Sequence, residues 1–301
     1  MEPGTSHPVI LAATDFSETA EAALEWASEL ARLQHARLEL VHAVTLPPSL
    51  SGFVAPGPLF DEELRTAALA RLGETAVRFR QTGAEVATHL AIGTPSQVIL
   101  QRAGELSAAA IVMGTRGLTG LRHLLLGSTT ERVMHRAPCP VLSVHPGDRG
   151  KHRPIRSILV PTDFSRDAEV AIEAAHQLLA PLEQEARLVL LHAFNLPIEY
   201  TAYGPIPTSV DYLKDRGLES ERLLEETRER LLREGLVVET VAREGDPAEV
   251  IASEAEARGV DLIAMGTHGG SALRHLLIGS TAERVLQHAN CPVMTVRRSE
   301  E

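Results

Sequence analysis

Residues 113–133 read MGTRGLTGLRHLLLGSTTERV, and residues 265–285 read MGTHGGSALRHLLIGSTAERV. One segment written twice in 301 residues makes internal repetition the first question. ILAATDFS at 10–17 returns as ILVPTDFS at 158–165, and RLELVHAV at 37–44 returns as RLVLLHAF at 187–194. The offsets rise from 148 through 150 to 152, so short insertions separate blocks whose order is unchanged. Two homologous domains are expected, at 1–147 and 154–301, joined by the polar stretch HPGDRGKHRP at 145–154.

Within the first copy strands and helices alternate. VILAA at 9–13 is a buried-strand run, and 18–33 carries apolar residues at helical spacing with Ser17 placed to cap its start. A second strand is expected at 37–43 and a third at 85–90. Between them a Pro-rich stretch at 45–59, matched by 195–210 in the second copy, leads to a charged amphipathic helix near 61–81. Thr94 suits an N-cap and Pro95 the first helical position, and the second copy repeats the logic with Asp246 and Pro247. A fourth strand at 109–113, a helix at about 129–135 and a last strand at 141–144 complete the unit. Strands separated by helices imply crossover connections, hence a parallel sheet covered on both faces. The fold class is α/β, a doubly wound Rossmann-like domain occurring twice. Ligands of such sheets bind beyond the carboxyl ends of the strands where strand order reverses, which points to the segments after strands one and four.

The segment after strand four has the spacing G-x2-G-x9-G-S in both copies: Gly114, Gly117, Gly127 and Ser128, then Gly266, Gly269, Gly279 and Ser280. Glycines permit close backbone approach, and a helix opening at Gly127–Ser128 offers amides and a dipole to phosphate. No Lys follows the last glycine and the spacing differs from a P-loop, which disfavours an ordinary P-loop NTPase. Ser128 with Glu131, and Ser280 with Glu283, also spell S-x-x-E, so each serine could simply cap its helix. Asp15 and Asp163 could likewise be helix-start residues.

Twenty-nine Lys and Arg against forty Asp and Glu give a net charge of −11, which repels nucleic-acid phosphates. The longest apolar stretches, such as 108–113, are too short to span a bilayer. MEPGTSHPVI carries no basic patch followed by an apolar core, so a cytoplasmic protein is expected. Cys139 and Cys291, each before a proline, provide no disulfide framework and read as small buried apolar residues. His123 and His275 recur at matched positions without a second His or Cys at ligand spacing, and His42 and His192 read as packed, hydrogen-bonded histidines.

The glycine spacing, TDFS after strand one and the endings RAPCPV and HANCPV together resemble the universal stress protein family, twice, over nearly the whole chain. In that family the glycine pattern is an ATP-binding signature. The resemblance implies that Thr14 and Asp15 lie beside adenine and ribose, that the backbone of Ala43 and Met113 lines the base pocket, and that Gly114 and Gly117 border ribose and phosphates. Gly127, Ser128 and Thr129 would then grip phosphates through amides and hydroxyls, with Mg2+ bridging phosphate oxygens. The second site would use Thr162, Asp163, Ala193, Met265, Gly266, Gly269, Gly279, Ser280 and Thr281. Two positions depart from the family pattern: Ala109 stands where Asp261 keeps an acid before the fourth strand, and Arg116 stands where the second copy has His268.

Single-domain relatives pair through their last strand, so the resemblance also implies an intramolecular pseudo-dimer through 141–144 and 293–296 and leaves room for a further homodimer. The leading functional expectation is a cytoplasmic nucleotide-binding stress-response protein holding ATP, ADP or AMP. The alternatives are a slow Mg-dependent ATP hydrolase and a nucleotide-free dimerisation scaffold. Among cations near the phosphates the sequence offers only Arg116, Arg122 and His123, a weak case for turnover.

Overall fold

The computed structural model describes residues 7–45, 58–115, 126–148, 154–194, 198–201, 204–207, 210–267 and 278–298. The chain divides into two units, Met1–Arg153 and Pro154–Glu301. The first contains β1 (Val9–Ala13), α1 (Glu18–Leu33), β2 (Arg37–Val44), α2 (Pro58–Arg80), β3 (Val86–Ile92), α3 (Pro95–Leu106), β4 (Ala110–Gly114), α4 (Ser128–Arg136) and β5 (Val141–Val144). The second contains β6 (Ser157–Pro161), α5 (Arg166–Leu179), β7 (Arg187–Phe194), a hairpin of β8 (Ile198–Thr201) and β9 (Gly204–Pro207), then α6 (Val210–Arg233), β10 (Val237–Glu244), α7 (Pro247–Arg258), β11 (Leu262–Gly266), α8 (Ser280–His288) and β12 (Val293–Val296). No helix among the described residues is long and apolar enough to cross a membrane.

Each unit builds the expected parallel sheet. Strand order is β3-β2-β1-β4-β5 in the first and β10-β7-β6-β11-β12 in the second. All five residues of β1 are buried, as a strand with helices on both faces requires. Ser17 accepts a hydrogen bond from the Ala20 amide at 3.1 Å and Ser165 one from Ala168 at 3.2 Å, so the serine of TDFS does cap α1 and α5. Beyond the cap, α1 turns a face of Ala20, Ala23, Leu24, Ala27, Leu30 and Ala31 inward, mostly small residues that allow close packing on the sheet. The chain order reverses between β1 and β4, and between β6 and β11. The segments after those strands therefore start at the switch point.

Strand two runs to Val44, strand three covers Val86–Ile92, and α2 begins at Pro58 because proline is tolerated in a first helical turn. Of the Pro-rich stretches, 46–57 lies outside the described residues, whereas 195–210 contains the antiparallel β8–β9 hairpin. Its short length and its prolines, Pro205 and Pro207 on β9, mask strand alternation in the sequence. The two cysteines are half-buried rather than buried, since each sits in the turn before β5 or β12. Burial still pushes the Cys139 thiol up to about 12, which leaves it unreactive.

Candidate functional site

The turn TDF closes β1 and β6 by the same bonds. Thr14 Oγ1 accepts the Phe16 amide and Asp15 Oδ1 the Ser17 amide, each at 3.0 Å, and Thr162 and Asp163 repeat both bonds at 3.0 Å. These local bonds bend the chain sharply from strand to helix. Phe16 and Phe164 adopt φ of 63° and 61°, a left-handed conformation that is strained for a bulky residue. A histidine from the neighbouring strand holds each one. The Nδ1–H of His42 donates to the Thr14 carbonyl at 2.7 Å while its ring lies 4.4 Å from that of Phe16, and His192 donates to Thr162 at 2.8 Å with Phe164 at 4.7 Å. In the first unit Arg71 of α2 adds a cation over Phe16, 4.6 Å from the ring centroid.

Opposite this turn, β4 and β11 end in Gly114 and Gly266 and lead toward α4 and α8. The residue that caps each of those helices is glycine. Gly127 (φ −74°, ψ 143°) and Gly279 (φ −57°, ψ 143°) occupy the N-cap positions without a side-chain cap. Ser128 and Ser280 are the first helical residues, so the capping role their S-x-x-E pattern allowed does not occur. The amide of Gly127 donates to the Thr115 carbonyl at 2.7 Å and that of Gly279 to Thr267 at 2.8 Å, so the glycine amides are committed within the loop. The amides of Ser128, Thr129, Ser280 and Thr281 remain as first-turn donors that α-helix geometry cannot pair. The extended φ and ψ of both glycines suit any residue, so backbone conformation does not account for glycine there.

In the second unit these parts enclose a pocket of about 320 Å3, within the range of small-molecule sites. Thr162, Asp163, Ala193, Met265, Gly266, Gly279, Ser280 and Thr281 all line it. Gly269 and, in the first unit, Gly117 lie outside the described residues, as do His123, His275 and Arg116. Pro247 and Ile251 of α7 also line the wall, together with Thr267. Sequence reasoning missed these three, although GTPSQVI at 93–99 returning as GDPAEVI at 245–251 marked the first two. The matched residues of the first unit, Thr14, Asp15, Ala43, Met113, Gly114, Gly127, Ser128 and Thr129, hold the same positions on β1, β2, β4 and α4 and the turns that join them.

Asp261 belongs elsewhere. Its carboxylate accepts the amides of Arg156 and Ser157, both at 3.0 Å, at the amino ends of β6 and β11. Its replacement by Ala109 in the first copy therefore removes a strand-end tie at the sheet edge away from the pocket. Among the described residues no three His, Cys, Asp or Glu side chains gather to hold a metal.

The sequence model of the universal stress protein family matches residues 8–145 and 154–297. A universal stress protein of Mycolicibacterium smegmatis is 30% identical over 96% of this chain and 96% of its own. A universal stress protein structure from Archaeoglobus fulgidus DSM 4304 covers 97% of this chain and 97% of its own with a TM-score of 0.71 at 23% identity, a likeness of fold. The universal stress protein from Archaeoglobus fulgidus solved in complex with dAMP is 29% identical, covering 46% of this chain and 97% of its own at a TM-score of 0.34. With the family's sequence pattern matched once in each half, this chain belongs to the universal stress protein family.

Proposed function

We propose that each unit binds one adenine nucleotide, ATP by preference, and that the protein acts by being occupied rather than by turning substrate over. The observation that carries this is the glycine N-cap of α8 opening on the 320 Å3 pocket, with first-turn amides that no side chain caps. Such a helix start favours phosphate through its amides and its dipole. A glycine that the backbone does not need is explained by close approach of a ligand. In this reading Ser280 and Thr281 take phosphate oxygens, Thr162 and Asp163 face base and ribose, and Ala193 and Met265 wall the base. Thr14, Asp15, Ala43, Met113, Gly114, Ser128 and Thr129 do the same in the first unit, and the family pattern assigns Gly117 and Gly269 to the border of ribose and phosphates. The adenine assignment rests on family membership. Mg2+ enters on the phosphates, as the family reading implies. Cradling amides and hydroxyls stabilise a bound phosphate chain without activating a water, so hydrolysis is slow or absent. A cytoplasmic role in a stress response follows the same family reading.

An aspartate at the N-cap tests the site without unfolding it. Asp is among the best N-cap residues and suits the φ and ψ of Gly127 and Gly279, but its carboxylate would occupy the first-turn amides and repel phosphate. Calorimetric titration of the Gly127→Asp, Gly279→Asp double variant with Mg-ATP should show no binding, with melting temperature preserved. Undiminished binding would sink the assignment.

A further inference from the structure

The two copies differ in an arrangement of charge that joins α7 to α8 in the second unit and has lost its acids between α3 and α4 in the first. In the second unit Arg284 of α8 donates to Asp246 Oδ2 at 2.7 Å and to Glu249 Oε1 at 3.3 Å. Asp246 is the N-cap of α7 and precedes Pro247, while Arg284 lies three and four residues beyond Thr281 and Ser280. Pro247, Ser280 and Thr281 all line the pocket, so this ion pair joins α7 to α8 at residues close in sequence to its lining. At the offset of 152 the first unit has Arg132, Thr94 and Gln97. The arginine is retained and both acids are gone. Arg132 is exposed, and among the described residues it makes no ion pair.

Helical side chains lean toward the N-terminus of their helix, which brings Arg132 within reach of a phosphate held at Ser128 and Thr129. Arg284 is the same distance from Ser280 and Thr281 but is committed to two carboxylates. The adjacent acids Glu131 and Glu283 occur in both copies and cancel in the comparison. Resting on the nucleotide reading, we propose that the two sites are unequal: Arg132 makes the first the site selective for a triphosphate chain, while the second, its arginine held by Asp246 and Glu249, discriminates less between ATP and AMP. One charge difference acts the other way. Glu18 begins α1 where Arg166 begins α5, which supplies the rival outcome of the test.

The test uses the full chain. Gly279→Asp leaves the first site and Gly127→Asp the second, with Gly→Ser at the same N-caps as a second pair if an Asp variant fails to fold. Calorimetry with Mg-ATP and with AMP should give an ATP-to-AMP affinity ratio about tenfold larger at the first site, the weight of one charge-assisted hydrogen bond. Arg132→Gln should collapse that ratio by weakening ATP more than AMP, and Asp246→Thr with Glu249→Gln should raise the ratio at the second site. The inequality should also narrow as salt rises. Equal ratios, a larger ratio at the second site, or a ratio unmoved by Arg132→Gln would overturn the proposal while leaving nucleotide binding intact. A wild-type chain that binds neither nucleotide would overturn both readings.

Discussion

At Gly266 an added Cβ would lie 3.0 Å from the carbonyl oxygen of Asp167 and 3.1 Å from its carbonyl carbon, backbone atoms that cannot step aside. At Gly114 it would meet the Thr19 side chain at 2.7 Å. These two glycines let the ends of β11 and β4 press against the starts of α5 and α1, a packing requirement independent of any ligand. Gly266→Ala should therefore destabilise the chain by about 1–3 kcal/mol through overpacking, whereas Gly279→Asp should not. Denaturant titration of the two variants side by side checks the contrast, and equal losses would refute it. In the sequence these glycines read as a single phosphate motif, because spacing records that a side chain is unwelcome but not what excludes it. TDFS shows the same limit from the other side. The serine cap was legible from residue type and place, but the left-handed Phe16 and Phe164, held by His42 and His192, required the neighbouring strand to be in position.

Elements were read correctly in type and order wherever apolar period and turn residues agreed, and the differences between the copies show what pattern alone conceals. Glu39 sits in the middle of β2 and is buried, with Arg102 of α3 reaching it at 2.6 Å. In the second copy the matching residue is Val189, and no pairing is needed. A strand pattern cannot foresee a buried carboxylate whose nearer partner is 63 residues away on a helix, with Arg37 of the same strand at 3.5 Å as the second. Arg102→Ala should cost about 2–3 kcal/mol, somewhat less than for a fully enclosed pair because Arg102 is partly exposed. Adding Glu39→Val to that variant should recover much of the loss, by removing a buried carboxylate left with only Arg37 at 3.5 Å. Failure of the double variant to regain stability in urea would show that the pair does more than neutralise itself. The helix starts differ too: Asp246 caps α7 through the Ala248 and Glu249 amides, at 3.0 and 3.2 Å, while Thr94 occupies the same position on α3 without a side-chain bond. The hydrogen bond from Arg284, opposed by burial and aided by those amides, holds the Asp246 carboxyl below its ordinary value. A depressed folded-state pKa contributes stability that is complete above the unfolded value near 4 and is lost as pH falls through the folded value. Asp246→Thr should thus cost up to about 1 kcal/mol at pH 7 and progressively less in acid, and a difference that grows below about pH 4 would contradict the assignment.

The chain carries the same sequence segments twice, once in each unit, so occupancy can be followed unit by unit. A ligand that binds only the folded state at about a hundred times its dissociation constant adds roughly 2.7 kcal/mol to stability. The amides that gain most should be those of the segments that line the pocket: the starts of α4 and α8, the TDF turns, and the first turns of α3 and α7. Hydrogen exchange read by mass spectrometry separates these segments without requiring the units to unfold independently. With saturating Mg-ATP, protection should rise in both sets, and Gly127→Asp should abolish the gain at α4 and the 14–17 turn while α8 and the 162–165 turn keep theirs. AMP should reproduce the pattern with smaller increments at α4 than at α8, since in the proposed arrangement only the first site leans on an arginine at the phosphate chain. Protection confined to one unit of the wild-type chain would reduce the protein to a single working site beside a structural copy. Loss of protection in both units on Gly127→Asp would instead mean that the first site controls the second.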